Sequence, residues 1–400
     1  MSRFVRLIVL KAELVEVGGV DWSTRGLRVS TAPELAARLI CPFDVRVDGI
    51  ARLMNVEFVD HPYYTALELQ VYDDAIHGSG MLAFLGRRDD RRVDYYPQAG
   101  LTLDPGMYDI GGGIGEWVET EIDPACFEVT PRGIHVDVRF TDAAGRLIEV
   151  RIDDRDGHER RPATLLAPVG SQVDQPSSLM LVYMHGFDLV RTSGRAPEIR
   201  VDGHQVVIGR LPAPKLHRRL LIKYASDIAV VRVNTAHVGP MPLASTELLG
   251  RAELNRTKTG IAAVSAESGG HEARLALDPA LPDLLAVPRG EVVDGTWQIG
   301  IDGSDGIVGG TWTVAVGEEV ADLAVEVTRG WLPHGLPLLM RIVTSVARVF
   351  RTWPTTYRWT AALAMKGEPA MTSRWQRTPR KGDRSYARLT GRRARWSRRD

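Results

Sequence analysis

The sequence predicts a mainly β protein, in which antiparallel sheets form a large sandwich or one to two barrels, followed by an amphipathic C-terminal helix and a basic disordered tail. Two observations lead to this prediction. Apolar and polar residues alternate with a period of two along many segments, and turn residues separate these segments with few helical signals between them. Strands that follow one another in this way favour antiparallel sheets.

Three segments indicate β-hairpins most clearly. In residues 134–152, apolar residues alternate with polar ones on both sides of an Asp-Ala-Ala-Gly turn. In residues 199–208, Asp202-Gly203 is a favoured two-residue hairpin turn. In residues 295–314, the tripeptide Gly-Thr-Trp occurs twice and a glycine-rich stretch lies between the two copies. We interpret the two copies as neighbouring antiparallel strands.

Composition divides the chain into four predicted parts. Residues 1–238 are predicted to form the main antiparallel β domain, and residues 239–330 a second β region that begins at a turn, Gly239-Pro-Met-Pro242. The second region either forms its own domain or continues the first as one large sandwich. Residues 331–365 are predicted to contain the amphipathic helix, and residues 366–400 the basic disordered tail.

The C-terminal end differs from the rest of the chain in charge. From Arg329 to Asp400 there are 17 Lys and Arg against 3 Asp and Glu, although the net charge of the chain is zero. Apolar residues at helical spacing predict a helix near residues 338–350, and three aromatic residues are interleaved with the later arginines: Trp375, Tyr386 and Trp396. This pattern is typical of a segment that contacts an anionic membrane surface or a polyanion. It is also typical of a helix that covers a β core and is followed by a solvated tail.

Motifs and composition exclude several classes of protein. The chain has no complete phosphate-binding loop, dinucleotide fingerprint, HExxH, GxSxG or CxxC motif, so neither a cofactor nor a metal is predicted. Two cysteines, Cys41 and Cys126, do not make a disulfide framework. The first residues lack the pattern of a secretory signal, and no apolar run is long enough to span a membrane. The expected location is therefore the cytoplasm.

Clusters of aromatic and polar residues are the candidates for a functional site. The strand Leu179–Val190 is apolar on both faces but contains His185 and Asp188, with Tyr183 on the face of the histidine. A β-bulge at Gly186 would turn Asp188 toward His185, so that the carboxylate orients the imidazole. The trio then forms either an acid–base catalytic site or a satisfied buried network. Candidates to line a ligand pocket at other strand ends are His61, Tyr63, Tyr64, Tyr95 and Tyr96.

Three functions follow from these observations as hypotheses. The first is binding of an apolar or amphipathic small molecule in a cavity of the β-barrel or β-sandwich. The second is a cofactor-independent isomerase, hydratase or lyase that uses His, Asp and Tyr in acid–base chemistry. The third is an interaction protein that contacts an anionic membrane or nucleic acid through its basic end. The sequence alone does not decide whether the chain is an enzyme.

Overall fold

The computed structural model describes residues 40–108, 112–155, 158–169, 173–192, 195–211, 219–241, 252–258, 260–347 and 349–378. The strands in chain order are β1 (Val45–Glu57), β2 (Tyr64–Asp74), β3 (Gly78–Arg87), β4 (Val93–Pro97), β5 (Ile114–Trp117), β6 (Ala125–Thr130), β7 (Gly133–Thr141), β8 (Leu147–Asp153), β9 (Ala163–Ala167), β10 (Leu179–Arg191), β11 (Glu198–Val201), β12 (His204–Gln205), β13 (Arg219–Val233), β14 (Val238–Pro240), β15 (Ala252–Arg256), β16 (Gly260–Ser268), β17 (His271–Pro282), β18 (Val292–Ile301), β19 (Ser304–Val316), β20 (Val320–Arg329), β21 (Tyr357–Ala364) and β22 (Ala370–Arg377). These strands confirm the predicted mainly β class.

The strands form three sheets. The central sheet has the order β5-β4-β3-β2-β1-β13-β10-β9, and a five-stranded sheet has the order β12-β11-β8-β7-β6. The nine-stranded sheet has the order β14-β22-β21-β20-β19-β18-β17-β16-β15. Pairing is antiparallel except between β4 and β5, which run parallel. Within the described residues no sheet closes on itself, so the fold is a sandwich and the barrel alternative is wrong.

The central sheet is the middle layer of three. On β3, Leu82 and Phe84 belong to the hydrophobic cluster shared with the nine-stranded sheet. Their neighbours Met81, Ala83 and Leu85 belong to the cluster shared with the five-stranded sheet. Since successive side chains of a strand point to opposite faces, one sheet covers each face of the central sheet. Such a strand is apolar at nearly every position, as the sequence of β10 also is.

The predicted hairpins are confirmed. Strands β7 and β8 pair antiparallel around the turn that follows Thr141. Strands β11 and β12 pair around Asp202 and Gly203, which both have positive φ angles, of 50° and 75°. The two Gly-Thr-Trp segments lie on β18 and β19, where Trp297 pairs with Gly310.

The predicted C-terminal helix is confirmed, although not all of its apolar residues are buried. Helices α1 (Leu338–Val346) and α2 (Val349–Thr352) follow one another, and short 3-10 helices lie at Pro105–Tyr108 and Pro354–Thr356. The buried residues of the helical segment are Met340, Val343, Thr344, Ala347 and Phe350. Ile342, an apolar residue of the same helix, is exposed. Because this face packs on the β core, the segment is part of the folded molecule.

The prediction that the chain is disordered from residue 366 onward is wrong up to Thr378. Strand β21 lies in the part predicted to hold the helix, and β22 lies in the predicted tail. Trp375 on β22 is fully buried, and its indole N–H donates to the carbonyl oxygens of Val233 and Asn234 at 3.1 and 2.8 Å. The rest of the predicted tail, with Tyr386 and Trp396, lies outside the described residues.

No helix in the described ranges is long and apolar enough to cross a lipid bilayer.

Candidate functional site

His185 lies where the central sheet meets the nine-stranded sheet, and its partner is an aspartate far away in the sequence. The imidazole Nε2 of His185 is 3.0 Å from Oδ2 of Asp302, which lies in the turn between β18 and β19. The same oxygen is 3.0 Å from Nδ1 of His271, the first residue of β17. The other ring nitrogen of His271 lies 3.3 Å from Oδ1 of Asp227 on β13. Two histidines thus share one carboxylate.

The shared carboxylate is held in its charged form. Burial raises the pKa of Asp302, but hydrogen bonds from His271, the Glu272 backbone N–H and His185 outweigh burial, and the pKa lies below its ordinary value. The His271 side chain is 4% exposed and that of His185 29%. His185 is therefore the group that a ligand can reach, and a carboxylate-bound imidazole of this kind is suited to moving a proton. The Tyr183 ring lies edge-on to the His185 ring, with ring centroids 5.0 Å apart.

The predicted contact between Asp188 and His185 does not form. Gly186 has a φ of 62°, and the pairing of β10 with β9 shifts between Met184 and Phe187, so an irregularity exists there. Pairing with β13 is in register on both sides of Gly186, since Met184 faces Ile228 and Asp188 faces Tyr224. Alternation therefore continues, and Asp188 points to the face of the five-stranded sheet. There its Oδ1 accepts from the Leu189 N–H at 2.8 Å and lies 3.3 Å from Arg219 Nη1.

His61, Tyr63 and Tyr64 lie together after β1. The rings of His61 and Tyr64 are stacked with centroids 5.7 Å apart, and His61 Nδ1 accepts a hydrogen bond from the Tyr64 backbone N–H at 3.1 Å. The Arg146 guanidinium lies 4.2 Å from the centroid of the Tyr63 ring, and its Nε donates to Asp142 Oδ2 at 2.7 Å. The Tyr64 hydroxyl donates to the same carboxylate and is buried, whereas Tyr63 is exposed. A ligand could therefore reach Tyr63 but not the Tyr64 hydroxyl.

Tyr95 and Tyr96 are both buried and point to opposite faces of the central sheet. Tyr95 belongs to the core under the nine-stranded sheet and Tyr96 to the core under the five-stranded sheet. The Tyr96 hydroxyl accepts a hydrogen bond from the Ala143 N–H at 3.3 Å, in the turn that also binds Tyr64 through Asp142. The structure thus brings Tyr64 and Tyr96 together at one turn and separates Tyr95 from them.

A buried hydrogen-bonded network of polar side chains on β1, β2 and β13 was not predicted from the sequence. Glu68 is 2% exposed and accepts hydrogen bonds from Asn55 Nδ2 at 3.0 Å and Gln70 Nε2 at 2.8 Å. Lys223 Nζ donates to Asn55 Oδ1 at 3.1 Å and to Glu57 Oε1 at 2.8 Å. Burial raises the pKa of Glu68 to about 7, and the hydrogen bonds from Gln70 and Asn55 and the charge of Lys223 offset burial only in part.

The alternation of apolar and polar residues along β2 gives no sign of this buried network. Leu67, Leu69 and Val71 alternate with Glu68 and Gln70, which is typical of a strand with one solvated face. In the structure both faces are buried. That such a polar residue is buried can be recognised only when it is known that sheets cover the strand on both sides.

The outer face of the nine-stranded sheet carries a groove of about 660 Å³ across β19, β20, β21 and β22. Its lining includes four threonines, three alanines of the outer face and four charged residues: Thr311, Thr313, Thr360, Thr372, Ala315, Ala324, Ala362, Asp322, Glu326, Arg358 and Arg374. None of these was singled out from the sequence, because short polar side chains at alternate positions of a strand are also what an ordinary solvated face contains.

Strand register arranges the lining in rows. Thr313, Ala324, Thr360 and Arg374 are consecutive partners across the four strands. With strands about 4.8 Å apart, such a row extends over roughly 14 Å. Arg358 lies 3.6 Å from a Glu326 carboxylate oxygen, whereas Arg374 has no ion-pair partner among the described residues. The groove therefore offers hydroxyls along its floor and a guanidinium at one edge.

In the described ranges, no group of three or more His, Cys, Asp or Glu side chains is arranged to hold a metal ion. No protein-family model, no curated protein and no solved structure matches the chain.

Proposed function

We propose that the chain is a small-molecule-binding β protein and that its ligand is a polyhydroxylated acid, such as a short acidic sugar, bound in the outer groove. The sequence suggested an apolar or amphipathic ligand. The side chains around the groove are instead hydroxylated, charged or as small as alanine. The proposal rests on the row Thr313, Ala324, Thr360 and Arg374, which combines hydroxyls with a guanidinium that no described carboxylate pairs with.

The hydroxyls give the groove its chemistry. A threonine hydroxyl both donates and accepts, so it can satisfy a sugar hydroxyl in either direction. The alanines between the threonines leave room above the sheet. Since β-branched residues suit strands, these threonines hold their hydroxyls at fixed spacing without cost to the fold.

The Arg374 guanidinium, which no described carboxylate pairs with, favours an acid group in the ligand. Arginine presents several N–H donors in a plane that matches a carboxylate. Asp322, in the neighbouring row, also lacks an ion-pair partner among the described residues and can accept hydrogen bonds from ligand hydroxyls. A uronic acid carries both kinds of group.

Titration of the full chain with trigalacturonic acid, followed by calorimetry, tests the proposal. Arg374→Gln should weaken binding roughly 10- to 100-fold, because a hydrogen bond to a charged group contributes about 1.5–3 kcal/mol. Thr360→Val removes one hydroxyl at constant shape and should weaken binding by roughly a few fold.

The matched control is Arg274→Gln. Arg274 is exposed on the same outer face but on β17, outside the groove, and its loss should leave binding unchanged. The neutral trisaccharide of galactose should bind more weakly than the acid. If trigalacturonic acid does not bind, or if Arg374→Gln and Thr360→Val both bind it as the wild type does, the proposal is wrong.

A second candidate function is contact with an anionic membrane through α1. Leu338 and Ile342 lie one turn apart on this helix, are 66% and 44% exposed, and flank the exposed Arg341. Apolar side chains next to a cationic one are typical of helices that lie in a membrane interface. The opposite face of α1 packs on the core, so binding would leave the fold intact.

Vesicle flotation separates this function from the first. Full-length protein should bind vesicles that contain phosphatidylserine, and salt should weaken this binding. The double change Leu338→Gln with Ile342→Gln should reduce vesicle binding. Val292→Gln, at an exposed apolar residue on β18, should not. Absence of binding to anionic vesicles would dismiss this candidate.

A further inference from the structure

Three buried polar atoms, one on Asp188 and two on its neighbours, have no hydrogen-bond partner in the described part of the chain. They are Oδ2 of Asp188, the hydroxyl oxygen of Tyr224 and Nη1 of Arg160. Asp188 is 6% exposed and Tyr224 is 0% exposed. Nearly all buried polar groups in proteins are hydrogen-bonded, so several unpaired atoms in one place need an explanation.

Strand register brings these side chains together between the central sheet and the five-stranded sheet. Asp188 and Tyr224 are direct partners across β10 and β13, so their side chains lie side by side on one face. The Arg160 guanidinium carbon lies 5.3 Å from the centroid of the Tyr224 ring.

Gly186 fixes the direction of Arg160. The Gly186 carbonyl oxygen accepts a hydrogen bond from Arg160 Nη2 at 2.8 Å. The φ of 62° at Gly186 suits glycine, and a Cβ there would lie 2.9 Å from Arg160 Nη2 and would clash with the Ser226 hydroxyl. Nη2 thus holds the guanidinium, while Nη1 has no hydrogen-bond partner among the described residues. The predicted irregularity at Gly186 serves this cluster rather than His185.

The cluster has an excess of positive charge. Two carboxylates, Asp188 and Asp154, act electrostatically on Tyr224. Each has a guanidinium next to it, since Asp188 lies 3.3 Å from Arg219 and Asp154 lies 3.8 Å from Arg191. Arg160 has no ion-pair partner among the described residues. Burial raises the pKa of Asp188, and the neighbouring guanidinium groups offset burial only in part. This agrees with a carboxylate that keeps one oxygen unpaired.

We propose that this cluster is a second binding site, which takes a small oxyanion that itself carries an O–H donor. The Arg160 N–H and the Tyr224 O–H donate to the oxygens of the anion, and Asp188 Oδ2 accepts its O–H. Protonated phosphate and α-hydroxy carboxylates share this chemistry. The site is separate from the outer groove, so the result of one test does not affect the other proposal.

Thermal unfolding of the full chain with four anions tests the chemistry. Inorganic phosphate or glycolate should raise the midpoint temperature, because a ligand that binds only the folded state stabilises it. Which of the two acts distinguishes the sources. Sulfate and acetate lack the O–H donor and should bind at least roughly tenfold more weakly. The proposal is overturned if neither phosphate nor glycolate raises the midpoint temperature, or if all four anions raise it equally.

Two variants test the residues. Tyr224→Phe removes a hydroxyl that has no partner among the described residues, so it should not lower the midpoint without anion. It should nevertheless weaken binding of the active anion roughly tenfold. Arg160→Gln should weaken binding at least as much, and Arg151→Gln, an exposed arginine of the five-stranded sheet, should have no effect. The assignment of Tyr224 and Arg160 to the anion site is wrong if Tyr224→Phe responds to the anion as the wild type does and folded Arg160→Gln does so too.

Discussion

At the scale of single residues, the ionisable groups of the interior govern how stability depends on pH. Glu68 has the clearest effect, because its pKa is raised to about 7 from an ordinary value of 4.5. The folded state therefore binds the proton more tightly than the unfolded state between these two pH values. The contribution of Glu68 to the free energy of unfolding is fully present below pH 4.5 and is lost as the pH rises to about 7.

We expect Glu68→Gln to remove this part of the pH dependence. A shift of this size corresponds to about 3 kcal/mol over the whole pH range between the two values. Urea unfolding of the wild type and of Glu68→Gln at a series of pH values measures the difference. Glu119→Gln, at an exposed position, is the control. Parallel pH curves for the wild type and Glu68→Gln would show that Glu68 does not titrate in this range.

The two histidines that share Asp302 should differ in their contribution to stability. His271 is buried and contacts two carboxylates, so His271→Ala should cost about 1.5–3 kcal/mol in the free energy of unfolding. His185 is more exposed, and among the described carboxylates it contacts Asp302 alone, so His185→Ala should cost less. Denaturant unfolding of both variants gives the comparison. An equal or larger cost for His185→Ala would mean that His185, too, is mainly structural and would weaken the acid–base hypothesis.

At the scale of elements, strands were predictable where local pattern alone determines them. The hairpin of β7 and β8 has regular alternation and a short turn, and Asp202-Gly203 specifies its own turn. Strand β22 was missed because only Met371 and Trp375 provide apolar side chains of any size among the basic and hydroxyl residues of Ala370–Arg377. The partner of His185 was missed for a different reason. Asp302 lies 117 residues away in the sequence, and no local pattern connects them.

Strand β22 determines how far the chain can be shortened. A chain that ends at Met365 loses β22 and the buried Trp375, whose removal even to alanine would cost about 3–5 kcal/mol. We expect it not to fold. A chain that ends at Thr378 keeps every described strand and should unfold cooperatively, as judged by circular dichroism and thermal melting. Cooperative unfolding of the shorter chain would show that β22 is dispensable. Only the longer chain is suitable for testing whether residues 379–400 bind anionic vesicles or polyanions.

At the scale of the whole molecule, the three layers explain why candidate residues separate as they do. Because the central sheet is covered on both faces, successive residues of its strands lie in different cores. Tyr95 and Tyr96 therefore lie in separate cores, and Asp188 points to the face opposite His185. Where the central sheet crosses the nine-stranded sheet, Gly49 on β1 meets Gly269, and a Cβ at Gly49 would lie 2.8 Å from the Gly269 carbonyl oxygen. The layered order depends on pairings between distant segments, so the sequence could predict sheets but not their stacking.

A crystal structure of the full chain with trigalacturonic acid would show whether the outer groove is the binding site. We expect the ligand to lie across β19 to β22, with a carboxylate within hydrogen-bond distance of Arg374 and hydroxyls on Thr313 and Thr360. A ligand bound elsewhere on the molecule, or a groove that stays empty at a saturating ligand concentration, would contradict it.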